Sequence, residues 1–86
     1  MDIMLKPQEE NTGSQFNGQL VATRNFIETF GENAELMAMQ TLQLIRKERV
    51  PIGADYLQVC SCKQSGREFW MIDDGDVVTA LMPEDY

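Results

Sequence analysis

Glu68-Phe69-Trp70-Met71-Ile72-Asp73-Asp74-Gly75-Asp76-Val77-Val78-Thr79-Ala80-Leu81-Met82 carries the clearest structural pattern in the chain. Its apolar residues recur with the two-residue period of strands. Asp74-Gly75 between the two apolar runs is a favoured two-residue hairpin turn, because Asp and Gly tolerate positive φ. The segment therefore predicts strands over 68–73 and 77–82, the second stopped by Pro83. Phe69 and Trp70 are adjacent, so they must point to opposite faces of the sheet.

Upstream, Gln64-Ser65-Gly66 marks another turn, and Tyr56–Cys62 reads as a third strand of the same meander. Before it, a helix is expected over 33–49. Asn33 is a reasonable N-cap, Glu35 suits the positive end of the helix dipole, and Arg46, Lys47 and Arg49 suit the negative end. Pro51 forbids continuation. At about 100° per residue, Ala34, Met37, Ala38, Thr41, Leu42, Leu44 and Ile45 share one face. Leu36 and Met39 fall on the otherwise polar face and are candidate self-association residues.

Leu20-Val21-Ala22-Thr23 reads as an opening strand. Its continuation through Asn25, Phe26 and Ile27 and a helical turn over 26–30 fit equally, since so short a run has no decisive period. Residues 1–18 are mostly polar and read as a flexible tail, with Ile3-Met4-Leu5 its one segment of strand character. The expected architecture is a single α+β domain over 19–86. One helix packs on a small antiparallel sheet in the order β-α-β-β-β.

The chain has 86 residues, seven bases, fourteen acids and a formal charge of −7. It contains no Lys, Arg or His after Arg67. That balance disfavours direct binding of nucleic acid, which needs bases to neutralise phosphates, and of anionic membranes. The first residues lack the basic and apolar regions of a signal peptide, and Cys60 and Cys62 are the only cysteines; both point to the cytoplasm.

Catalytic signals are weak. The absence of histidine removes the commonest general base and metal ligand. No serine sits in a nucleophile elbow. Cys60 and Cys62 share one strand face, but a zinc site needs further ligands, so two small buried hydrophobes are the simpler reading. Asp73-Asp74-Gly75-Asp76 lacks the glycine position and the terminal glutamate of a calcium loop. The expectation is a protein that is not an enzyme and carries no metal or cofactor.

The acids themselves remain. Asp73, Asp74, Asp76, Glu84 and Asp85 are expected within about one strand length of each other, roughly 20 Å. They form a candidate partner-binding surface for a protein with a basic site, with Trp70 or Tyr86 as aromatic anchor. The competing reading gives the acids a solubility role. In that case a small structural or regulatory domain self-associates through Leu36, Met39 and Trp70.

Ala22-Thr23-Arg24, Asp55-Tyr56-Leu57-Gln58-Val59, Phe69-Trp70-x-Ile72-Asp73 and Ala80-Leu81-Met82-Pro83-Glu84-Asp85-Tyr86 carry a resemblance to small uncharacterised proteins of bacterial plasmids and phages. Longer members of one such group have extra sequence where this chain has only Asp74-Gly75. The resemblance implies an inhibitor of host defence, in the manner of anti-CRISPR and anti-restriction proteins, acting as a DNA mimic or by occupying a nucleic-acid-binding surface.

Overall fold

A computed structural model of the protein describes residues 2–86. Five strands, β1 (Ile3–Leu5), β2 (Gln19–Ala22), β3 (Leu57–Cys62), β4 (Glu68–Asp73) and β5 (Val77–Leu81), form one sheet in the order β1-β3-β4-β5-β2. Helix α1 (Arg24–Phe30) and the main helix α2 (Ala34–Glu48) lie between β2 and β3 in sequence. The class is α+β.

The meander β3-β4-β5 is antiparallel, with Cys60 opposite Phe69 and Met71 opposite Ala80. Its second turn is displaced by one residue from the expected tip. Gly75, at φ 103°, and Asp76 form the tip, and the Asp74 N–H donates to the Val77 C=O at 3.1 Å. β2 differs from the expected antiparallel sheet by pairing with β5 in parallel. The cause is the helical crossover. α1 and α2 carry the chain back across one face before β3 starts, which a parallel arrangement requires. Gly18 permits this pairing, since a Cβ there would come within 2.5 Å of the Asp76 C=O oxygen.

Residues 26–30 resolve as helix. Thr23 caps α1 by accepting the Phe26 N–H at 3.1 Å, and Gly31, at φ 62°, ends it. A single 3-10 turn then leads into α2. Asn33 precedes α2 but makes no side-chain cap. The buried face of α2 is Ala34, Met37, Ala38, Thr41, Leu42 and Ile45, while Leu44 is only half-buried. Buried Thr41 donates to the Met37 C=O at 2.7 Å, so it leaves no unpaired hydroxyl. From the sheet, Cys60, Phe69, Met71, Val78, Ala80 and Met82 face the helices.

The expected tail is part of the fold; within it, Met1 lies outside the described residues. Ile3–Leu5 pairs antiparallel with β3. Phe16 is fully buried in the core. Its backbone adopts φ 51°, a conformation uncommon for a bulky residue. Two contacts hold it there: its N–H donates to Asp73 Oδ2 at 2.9 Å, and its C=O accepts from Arg46 Nε at 2.6 Å.

The basic end of α2 thus binds carbonyls of the N-terminal segment. Arg49 does the same to Lys6 C=O at 2.9 Å and also donates to Gln58 Oε1 at 3.0 Å. Fully buried Gln58 gives its amide N–H groups to Gln8 Oε1 and the Asp55 C=O. A polar run without hydrophobic period is therefore ordered by side-chain amides and a guanidinium, which pattern reasoning does not register.

Candidate functional site

Both helices cover the same face of the sheet, and the opposite face has no helical layer. Alternation puts Leu57 and Val59 of β3, Trp70 and Ile72 of β4, Val77 and Thr79 of β5, and Val21 of β2 on that open face. Register joins them in rows: Val59, Trp70 and Leu81 in one, and Leu57, Ile72, Thr79 and Val21 in the next. A solvated sheet face normally carries polar side chains. This one is apolar at its centre and polar at its margins, where Gln19, Ser61 and Glu68 stand; Val21 is 38% exposed, Leu57, Val59, Trp70, Ile72 and Val77 are half-buried, and Leu81 is buried.

The C-terminal turn, Pro83–Asp85, folds back towards β4 and lays Tyr86 against Trp70. Their rings meet edge-on with centroids 5.4 Å apart. Tyr86 is 73% exposed, so the pair is presented and not sealed in. Contact with the Tyr86 phenol is the main cause that raises the pKa of Tyr56, with Asp55 and Glu10 adding to it. Trp70 and Tyr86 thus form an aromatic pair on this face. Trp70 Nε1 donates to Glu68 Oε1 at 3.4 Å, and Glu68 Oε2 pairs with Lys6 at 2.8 Å. The Lys6 hydrogen bond holds the Glu68 carboxyl below its ordinary pKa.

The acids predicted from sequence divide between the two ends of β5. Asp73, Asp74 and Asp76 stand at its start, and Glu84 and Asp85 follow its end. Five strand residues separate the groups by roughly 15–20 Å. They bracket the open face and do not form one cluster.

They also differ in what they do. Asp73 holds Phe16 and accepts the Gly75 N–H at 2.9 Å. Asp74 Oδ1 accepts the N–H groups of Val77 and Asp76, and these bonds lower its pKa. Asp85 accepts from Thr23 Oγ1 at 2.7 Å, the Met82 N–H at 3.0 Å and Asn25 Nδ2 at 3.3 Å, and its pKa is lowered chiefly by Thr23. Asp76 and Glu84 are exposed, and no hydrogen bond to another described side chain engages them.

Sequence reasoning missed Glu9 and Glu10, which it assigned to the tail. Glu9 lines a depression with Leu57 and Val59, and Glu10 lies close enough to act on Tyr56. It also missed Leu57, Val59, Ile72 and Val77 as a surface. The signal was present: strands β3, β4 and β5 carry apolar residues on both faces, although the helical layer can cover only one.

Leu36 and Met39 project from α2 and are 49% and 45% exposed. Trp70 lies on the other side of the sheet, so these three residues do not share one contact surface. Cys60 and Cys62 are free and buried, and burial pushes the Cys60 thiol up to about 12. Among the described residues, no group of three or more Cys, Asp or Glu side chains is placed to hold a metal ion. No helix there is long and apolar enough to cross a membrane.

Comparison with protein-family models, with curated proteins and with solved structures finds no match for this chain.

Proposed function

We propose that this protein is a non-enzymatic binding protein whose open sheet face docks on a basic surface of another protein. The observation that carries this reading is a sheet face without a helical layer, apolar at its centre, with the Trp70–Tyr86 aromatic pair, bracketed by carboxylates at both ends of β5. Apolar centres with aromatic anchors and polar rims are what protein interfaces use. Carboxylates on the rim orient the encounter and select a basic partner.

A basic surface of that kind typically serves to hold nucleic acid, so the bound protein acts as an inhibitor that excludes the nucleic acid. The resemblance to proteins of plasmids and phages favours such a role in a bacterial cell, as a DNA mimic or steric blocker of a nuclease or nucleic-acid-binding complex.

The experiment is affinity isolation from the native host with the wild-type chain and with Val59→Lys, which places a base on the face beside Trp70 without touching the helical core. The wild type should retain a partner that also binds nucleic acid, and excess duplex or single-stranded nucleic acid should displace it. Val59→Lys should lose that partner. Equal retention by both chains would reject the open face as the contact.

A further inference from the structure

The two edges of the sheet are built differently. At the β1 edge, Arg49 covers main-chain oxygen atoms, donating to the C=O of Leu5 at 3.4 Å and of Lys6 at 2.9 Å. Such basic side chains are a common way to keep a sheet edge from pairing with another chain. Among the described residues, the β2 edge has no such guard. Gln19-Leu20-Val21-Ala22 carries no charge.

Along a strand, the N–H and C=O of one residue point to the same side, and successive residues alternate. Gln19 and Thr23 direct their N–H groups to the C=O of Asp76 and Ala80, towards β5. The main-chain groups of Leu20 and Ala22 therefore point away from β5. No hydrogen bond to another described residue occupies them.

A groove of about 620 Å³ runs beside this edge, between β2 and the α1–α2 corner. Its apolar wall includes Ile27, Ala38 and Met39, and Ile27 and Met39 are 50% and 45% exposed. Glu32 and Glu35 line it, and no Lys or Arg does.

We infer that the free edge of β2 is a second binding site, which takes an extended segment of a partner protein as an added strand. The two N–H and two C=O groups of Leu20 and Ala22 supply the main-chain ladder. Alternate apolar side chains of the segment enter the groove, and Lys or Arg residues flanking them meet Glu32 and Glu35. Strand addition of this type takes affinity from main-chain bonds and specificity from alternate side chains. The charge selects the occupant: a second copy would bring the same two glutamates and a net charge of −7 against each other. The site lies at the sheet edge on the helix side and stands independently of the open-face reading.

The test uses the full chain, labelled with nitrogen-15, and the synthetic peptide acetyl-KVTVTVK-amide. Titration should shift the amide resonances of residues 19–22 and 27–39 saturably and slow hydrogen exchange at Leu20 and Ala22. The same peptide N-methylated on its valines, or on its threonines, separates the two strand edges. One of these versions should bind at least tenfold more weakly than the parent, and the other should bind as the parent does.

On the protein side, Ala22→Pro removes an outward N–H that the fold does not use, a place where an edge strand tolerates proline. It should weaken binding at least tenfold. Should Ala22→Pro fail to fold, Glu35→Lys carries the test, with a tenfold or greater loss at low salt. No shifts at residues 19–22, or binding indifferent to both N-methylated versions, overturns the proposal. Self-association by sedimentation that Ala22→Pro abolishes also overturns it, because the occupant is then a second copy.

Discussion

Asp85 is exposed, yet it fastens two distant pieces of the chain together. Its carboxylate accepts from Met82, Thr23 and Asn25, so it joins the C-terminal turn to the cap of α1. Asp74 works similarly within the hairpin tip. Hydrogen bonds to the ionised form explain why both titrate below the ordinary aspartate value. A carboxyl whose folded pKa is depressed stabilises the fold above its unfolded pKa, and that contribution is lost as pH falls through the folded value. The protein should therefore lose stability below about pH 4, where unfolded aspartates begin to protonate. Asp85→Asn and Asp74→Asn should each lower the urea midpoint at pH 7 and flatten its fall between pH 4 and pH 2. Parallel curves for wild type and both variants would show that these acids do not act through their charge.

Phe16 anchors an otherwise polar segment in the core. Its ring is fully buried, although its neighbours Gln15 and Asn17 are exposed. Phe16→Ala should cost about 3–5 kcal/mol. Against a total of about 5–15 kcal/mol for a typical domain, the variant should be close to unfolding. Its thermal midpoint measures this directly. A midpoint within a degree or two of wild type would mean that residues 2–18 are a dispensable appendage.

Among the elements, α2 was the most legible in the sequence. The three-to-four-residue recurrence from Ala34 to Ile45 can bury only one stripe, and the structure buries Met37, Ala38, Thr41, Leu42 and Ile45 on that stripe. Ile45→Ala should destabilise by about 2–4 kcal/mol, whereas Gln43→Ala on the exposed face should change little. Chemical denaturation of the two variants side by side checks the face. Equal midpoints would place the buried stripe elsewhere.

The meander was legible for a similar reason: Gly66 and the Asp74–Asp76 turn punctuate three apolar runs. Three features were not. β1 is three residues long, too short for a period, and it gains its place from β3. The parallel pairing of β2 with β5 depends on which way the helices cross, and no local pattern encodes that. The hydrogen-bonded set of Gln8, Arg49 and Gln58 spans some fifty positions of sequence, from Gln8 to Gln58. For the site, the residue types were legible and the arrangement was not. Acids and aromatics stood out near the C-terminus. That Asp73, Asp74 and Asp85 serve the fold, and that two groups of acids stand apart along β5, depends on hydrogen bonds that only the folded chain makes.

At the scale of the molecule, the protein is a sheet with two unlike faces. One is closed by α1 and α2 around Phe16, Phe26, Phe69 and Met71. The other presents Trp70 and Tyr86 over an apolar surface and is flanked by Asp76 and Glu84, exposed acids that no hydrogen bond to another described side chain occupies. Those two acids separate steering from stability, because reversing them does not break the bonds that Asp73, Asp74 and Asp85 make. The most direct measurement is the association rate between the protein and the partner isolated with it, for wild type and for the Asp76→Lys, Glu84→Lys double variant, at low and high ionic strength. Rim charges act mainly on the rate of encounter and are screened by salt. Association should be slowed about tenfold or more by the double variant at low salt, with the difference shrinking at high salt and the unfolding midpoint unchanged. A double variant that associates as fast as wild type at low salt would contradict this.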